Sequence, residues 1–344
     1  MKLLTLLVAM SFACQAADYG TSKTVLDGVE VVRLSDSSHR TEVSIATSIG
    51  NNAYAMKVNG KNILYSPFQS LSDFKAKPSL AGNPLLAPWA NRLDQLAFYA
   101  NGRKYLLNPD LKNITLLGRS GIPNHGIVAF SPHWKITNLG ADSRSAWSTS
   151  RLEFWRFPDL MAQFPFAHTI EMTYRLASGV LEVETSLENL STEPMPIAVG
   201  YHTYYQIDDA PRERWQVRIP ARERLVLSQA LLPTGESKAM ELPDPLTLAD
   251  PHLEILVNGL IRGKDGRAEF YVRGEKQQIS VLYGPKYTAA VVYAPKGRNF
   301  ICFEPMSAIT NAFNLAESGL YKELQSVPAG GRWRESFWIR PSGF

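Results

Sequence analysis

Apolar and polar residues alternate with a period of two along much of the chain. Thr41-Glu42-Val43-Ser44-Ile45-Ala46-Thr47 places its apolar side chains on one side, as a half-buried strand requires. Residues 169–176 and 180–187 repeat the pattern on either side of Ala177-Ser178-Gly179, the signature of a hairpin. The same reading predicts strands over 215–219, 268–272, 278–283, 288–293, 300–303 and 335–339. Gly and Pro punctuate the intervals, and residues 239–251, rich in proline and acids, read as a surface loop. Helical periodicity is confined to a short turn near 319–324. Many short strands with close turns predict an all-β protein, a large antiparallel β-sandwich or barrel, and not a parallel α/β sheet.

The first residues stand apart from this pattern. Met1-Lys2, an apolar run over 3–13 and the small residues Ala16 and Ala17 have the layout of a secretory signal peptide. The run is shorter than the roughly 20 residues that span a bilayer. The expectation is therefore a leader over 1–17, a single β domain over 18–344, and export to a periplasmic or extracellular location. A lipoprotein leader with Cys14 as the lipidated residue fits less well, because Ser11-Phe12-Ala13 lacks the expected aliphatic residue. A buried N-terminal strand is the other reading of the same run. Cys302 is the one cysteine beyond this leader, so no internal disulfide is expected and stability must come from the core. Hydrophobic residues make up 45 % and charged residues 20 % of the chain, enough for a sizeable core. The net charge of +4 is dispersed without a basic block, which argues against nucleic acid as a partner. No second long apolar segment follows the leader, so no membrane span is expected.

Common nucleotide and metal signatures are missing: there is no Gly-rich phosphate loop, no His-Glu-x-x-His and no cysteine pair. Six histidines are scattered along the chain, and two have a distinctive context. His125 sits in Pro123-Asn124-His125-Gly126, and His202 lies just past an apolar run, in Gly200-Tyr201-His202-Thr203-Tyr204-Tyr205. His168 precedes a strand and reads as a solvated edge. Glu304 follows the apolar Phe300-Ile301-Cys302-Phe303 and precedes Pro305. Burial there raises a carboxylate pKa toward the range of a general base, although a salt-bridged strand end explains the same residue. Asn91-Arg92 offers hydrogen-bond donors beside Trp89, a pairing suited to hydroxyl-rich ligands.

Taken together and in order, these segments resemble the aldose 1-epimerase family. Pro84-Leu85-Leu86-Ala87-Pro88-Trp89-Ala90-Asn91-Arg92 is similar to its early Asn-Arg stretch, and Asn124-His125-Gly126 to its first histidine-glycine motif. Phe164-Pro165-Phe166 with the hairpin ending in Glu188-Asn189-Leu190-Ser191 resembles its central strand pair. The segment from Pro196 to Tyr205 resembles that of the second histidine. Ile301-Cys302-Phe303-Glu304-Pro305-Met306, continuing to Asn311-Ala312-Phe313-Asn314, resembles the C-terminal glutamate motif.

The resemblance implies a galactose mutarotase-like supersandwich with a free hexose as partner. By position, Glu304 would be the base and His202 the acid, with Arg92 and His125 holding the sugar and Asn91 and Tyr204 supporting it. Interconverting anomers requires deprotonating the C1 hydroxyl and protonating the ring oxygen, so a carboxylate and an imidazole on opposite sides of the ring suffice. No electrons move, and no cofactor and no metal are implied. Three positions depart from the family pattern. Glu254 stands nearest the usual sugar-binding aspartate, Val281 lies where a glutamine is common, and Thr203 and Tyr205 replace proline and phenylalanine. Two other functions fit these residues: a non-catalytic carbohydrate-binding or sensing protein, and an isomerase or lyase acting on a larger glycan. Oligomeric state is left open.

Overall fold

The hairpin read from the sequence forms the spine of the largest sheet. His168–Ala177 and Val180–Asn189 pair antiparallel in one unbroken register. Ser178 and Gly179 turn the chain with φ of 50° and 70°, the left-handed pair that matches the twist of flanking strands. The turn is fastened from outside, since the Gly179 amide donates to the buried Asp36 carboxylate at 2.8 Å.

The computed structural model describes residues 18–118, 121–249 and 252–344, and the expected leader over 1–17, Cys14 included, lies outside them. The spine belongs to a nine-stranded sheet in the order Lys135–Ala141, Ala146–Leu152, His168–Ala177, Val180–Asn189, Arg332–Ser342, Gln278–Tyr283, Ala268–Arg273, Gln216–Arg218 and Leu246–Thr247. An eight-stranded sheet faces it, in the order Pro233–Ala239, Ala221–Leu227, Leu253–Leu260, Ala289–Ala294, Ile301–Met306, Gly200–Tyr201 and Leu85–Leu86, with Thr203–Tyr205 also pairing Ile301–Met306. A five-stranded meander over Tyr19–Leu26 to Lys61–Asn62 completes the main architecture. Among the described residues, no helix is long and apolar enough to cross a membrane.

Aromatic side chains join the two large sheets. Phe270 of the nine-stranded sheet meets Phe303 of the eight-stranded sheet at 5.8 Å between ring centroids, and Phe337 meets Tyr201 at 4.8 Å. All four are fully buried, each contributing about 1.5–3 kcal/mol by leaving water. This contact sets the parity of the site. With Phe303 and Tyr201 facing the core, the alternation of a strand sends Cys302 and Glu304, and likewise His202 and Tyr204, to the opposite face.

Four expectations are corrected. Glu304 does not follow its strand but lies inside Ile301–Met306. The predicted turn near 319–324 is instead a helix over Ala312–Glu317, and Gly319, at φ 76°, ends that helix. His168 is no solvated edge: it is 2 % exposed, stacked on Phe154 at 4.2 Å, with Nδ1 2.6 Å from the Phe166 carbonyl oxygen. The loop over 239–251 contains the short strand Leu246–Thr247, which pairs with Gln216 and Val217 at the sheet edge.

Candidate active site

Pro305 sits inside a central strand, where a residue without an N–H is normally excluded. The neighbouring chain resolves the conflict by breaking. Gly200 pairs with Met306 and Thr203 with Phe303, leaving His202 between two short strands opposite the proline segment. The amide of His202 donates instead to the Pro84 carbonyl at 3.2 Å. Gly200 is required at this crossing, because a Cβ there would lie 2.7 Å from the Pro305 carbonyl oxygen.

Two loops close over this outer face. Asn91 and His125 both adopt left-handed backbone, with φ of 59° and 63°. They clasp each other: the His125 amide donates to the Asn91 carbonyl at 3.0 Å, and the Asn91 amide donates to His125 Nδ1 at 3.3 Å. An accepting Nδ1 puts the ring proton on Nε2, which makes His125 a donor there. Gly126 lets this loop lie against the other, since a Cβ would fall 2.1 Å from the Ala87 oxygen. The C-terminal motif fastens the Arg92 segment from below. The Asn311 amide donates to the Arg92 carbonyl at 3.0 Å, and Asn314 Nδ2 donates to Asp94 at 2.6 Å.

All seven residues singled out in the sequence, Asn91, Arg92, His125, His202, Tyr204, Glu254 and Glu304, line one cavity of about 230 Å³. Its centre is a pair: His202 Nε2 lies 3.3 Å from Glu304 Oε1. The two groups are therefore side by side, not on opposite sides of a ring. Adjacency suits ring opening, because the C1 hydroxyl and the ring oxygen are bonded to the same carbon. Glu304 is 1 % and His202 7 % exposed, and among the described residues Glu304 Oε2 and His202 Nδ1 have no hydrogen-bond partner. The Tyr204 ring stacks on His202 at 4.7 Å and 15°, which fixes the plane of the imidazole.

Electrostatics at the pair follow from burial. Desolvation, reinforced by the Glu254 charge and opposed by Arg92, pushes the Glu304 carboxyl well above its ordinary pKa. Burial brings His202 down to about 4, with the residue's own backbone opposing and the Arg92 charge adding. Burial likewise holds His125 well below the ordinary imidazole value, helped by His202 and Arg92. Arg92 itself is tied down, its Nη1 3.4 Å from Glu254 Oε1 and 3.2 Å from Asn91 Oδ1. Glu254 also meets His252, whose Nε2 lies 3.2 Å from Oε2. The cleft thus presents donors from Arg92 and His125, an acceptor at Glu254, and a buried pair of carboxyl and imidazole.

Sequence reasoning gave no role to Asn124, Leu117, Val291 or Tyr293, which line the same cavity. Val291 and Tyr293 reach it because they pair directly with Glu304 and Cys302 across the sheet, a register that the sequence alone does not state. Trp89, the aromatic beside Asn91-Arg92 in the sequence, is in the core at 1 % exposure and does not line the cavity.

A cleft of this kind on the outer face of a two-sheet sandwich defines a class: the galactose mutarotase-like fold with a polar, open site. The aldose 1-epimerase family model matches residues 30–340, and the chain belongs to that family. Among solved structures, a galactose mutarotase-like protein from Clostridium acetobutylicum is 21 % identical with a TM-score of 0.83, covering 95 % of this chain and 99 % of its own. A galactose 1-epimerase from Lactobacillus acidophilus superimposes with a TM-score of 0.70 at 15 % identity, over 96 % of this chain and 100 % of its own. An aldose epimerase homologue from C. elegans gives a TM-score of 0.67 at 15 % identity, over 94 % and 99 %. At such identities the likeness is one of fold.

Proposed function

We propose that the protein is an aldose 1-epimerase that interconverts the α and β anomers of a free hexose. The observation that carries this reading is the buried His202–Glu304 pair, 3.3 Å apart, at the floor of an open cleft. Glu304 takes the proton of the C1 hydroxyl while His202 gives one to the ring oxygen. The bond from C1 to the ring oxygen breaks, the aldehyde forms, and rotation about C1–C2 precedes reclosure on the other face. The roles then reverse, so the pair ends as it began.

Burial sets the direction of both pKa shifts, and the proton count of the proposed reaction is compatible with it. Ring opening converts carboxylate and imidazolium into carboxyl and neutral imidazole, with one shared proton throughout. Burial favours the uncharged form of the couple, the state that accompanies the open-chain aldehyde. Arg92 and His125 donate to sugar oxygens, Glu254 accepts from a hydroxyl, and Asn91 and Tyr204 hold Arg92 and His202 in place. The sequence of residues 1–17 supports the further proposal that this chemistry takes place outside the cytoplasm.

Polarimetry of freshly dissolved α-D-glucose and α-D-galactose tests the function. The protein is expected to speed relaxation to the equilibrium rotation, and Glu304→Gln to lose about 10²–10⁴ of that rate. Sugar binding without any acceleration would refute the epimerase reading in favour of a carbohydrate-binding protein.

A further inference from the structure

On the far side of His125 lies a second cavity, of about 590 Å³, more than twice the volume of the cleft that holds the acid–base pair. The two cavities border each other at Leu117, Asn124 and His125. Opening and closing a single hexose ring has no use for this additional space.

Its lining suggests what fills it. Ile114, Ile127 and Phe130 provide apolar surface, while Lys112, Asn113 and Asp159 supply polar groups. A pyranose has the same division, with apolar C–H faces and a hydroxyl edge, and sites that mix apolar walls with a few polar groups suit it. Lys112 is matched by Asp159, so the cavity offers no excess positive charge for a phosphate. Asn124 stands at the border itself, 6 % exposed, and its side-chain oxygen has no hydrogen-bond partner among the described residues. A buried acceptor left in that state is costly unless a ligand hydroxyl reaches it.

The chemistry limits how an occupant is attached. Mutarotation needs a free hydroxyl on C1, so any group reaching the second cavity is joined to the reacting sugar through another carbon. We propose that the preferred substrate is the reducing end of an oligosaccharide, with the terminal ring in the catalytic cleft and the next sugar in the second cavity. The proposal rests on the epimerase reading above and names its substrate class.

The test compares anomeric relaxation of glucose with that of maltose, cellobiose and lactose, all of which carry glucose at the reducing end. At least one disaccharide is expected to exceed glucose in kcat/KM by about tenfold, chiefly through KM, the equivalent of about 1.4 kcal/mol. Thr115→Trp and Ser79→Trp, at exposed positions that line the second cavity and not the catalytic cleft, are expected to bring that disaccharide to within about twofold of glucose. Glucose turnover, unchanged in both variants, reports that they are folded. Glucose accelerated with no disaccharide preferred would overturn the inference and leave the epimerase function standing. A preference that survives both tryptophans would also overturn it. Acceleration of no sugar at all would remove both.

Discussion

Glu304→Gln is expected to make the protein more stable at neutral and alkaline pH while removing its activity. The carboxyl is 1 % exposed, one of its oxygens has no partner among the described residues, and burial raises its pKa well above 4.5. A group whose pKa is higher in the folded than in the unfolded chain contributes its full stability below the unfolded value. That contribution is lost as pH rises through the folded value. Glutamine keeps the shape and can still accept from His202 Nε2, but has no charge to desolvate. The advantage of the variant is therefore absent below the ordinary glutamate pKa of 4.5, grows above it as the unfolded chain alone ionises, and is complete once the buried carboxyl ionises too. Its full size is about 1–3 kcal/mol, the cost of an unsatisfied buried polar group. At about 2–4 °C per kcal/mol for a large domain, the melting midpoints should separate by roughly 2–8 °C. Thermal melts of both proteins, at a fixed scan rate and in steps from about pH 4 to pH 9, measure this difference. A variant that melts lower at alkaline pH, or one offset equally at every pH, would refute the argument from desolvation.

Other expectations follow from the same charges. The pH profile of kcat should fall on the acid side near pH 4, where a second proton reaches the pair through His202. An acid limb near the ordinary imidazole value of 6.5 would mean that His202 is solvated during turnover. Arg92→Ala should raise KM by about 10–100-fold, the loss of charge-assisted hydrogen bonds worth about 1.5–3 kcal/mol. Because the Arg92 charge depresses His202, the acid limb of that variant should move to higher pH, which a purely structural role for Arg92 would not produce. In the core, Phe303→Ala removes the contact with Phe270 between the sheets and should cost about 3–5 kcal/mol in denaturant unfolding. A loss below about 1 kcal/mol would mean that the sheets are not held together there.

Legibility in the sequence tracked how regular each segment is. Gln278–Tyr283 is readable to the residue from its run of β-branched and aromatic residues, and the 168–189 hairpin nearly so, because its strands alternate buried and less buried positions and it has a left-handed turn at Ser178-Gly179. The Tyr19–Leu26 strand is not legible, being mostly polar and without a buried residue along its length. Gly319 was read as opening a turn when it closes a helix, since a lone glycine marks an end without saying of what. His168 shows the limit of single residues: its burial comes from Phe154 and Phe164, which pattern alone does not place beside it. The site residues were found through motif order, whereas Asn124 and Tyr293 became visible only when the sheet register and the crossing loops brought them to the cleft. The adjacency of His202 and Glu304 likewise depends on the strand break opposite Pro305, a long-range feature.

The central claim is that His202 and Glu304 act as one unit holding one proton, and a double-mutant cycle in anomer relaxation tests it most directly. Rates would be measured for wild type, His202→Asn, Glu304→Gln and the double variant on the same hexose. Groups that act together are non-additive, so each single change should cost about 10²–10⁴ and the double variant should be little worse than the poorer single one. Losses that simply multiply, or a single variant that keeps most of the wild-type rate, would contradict the account.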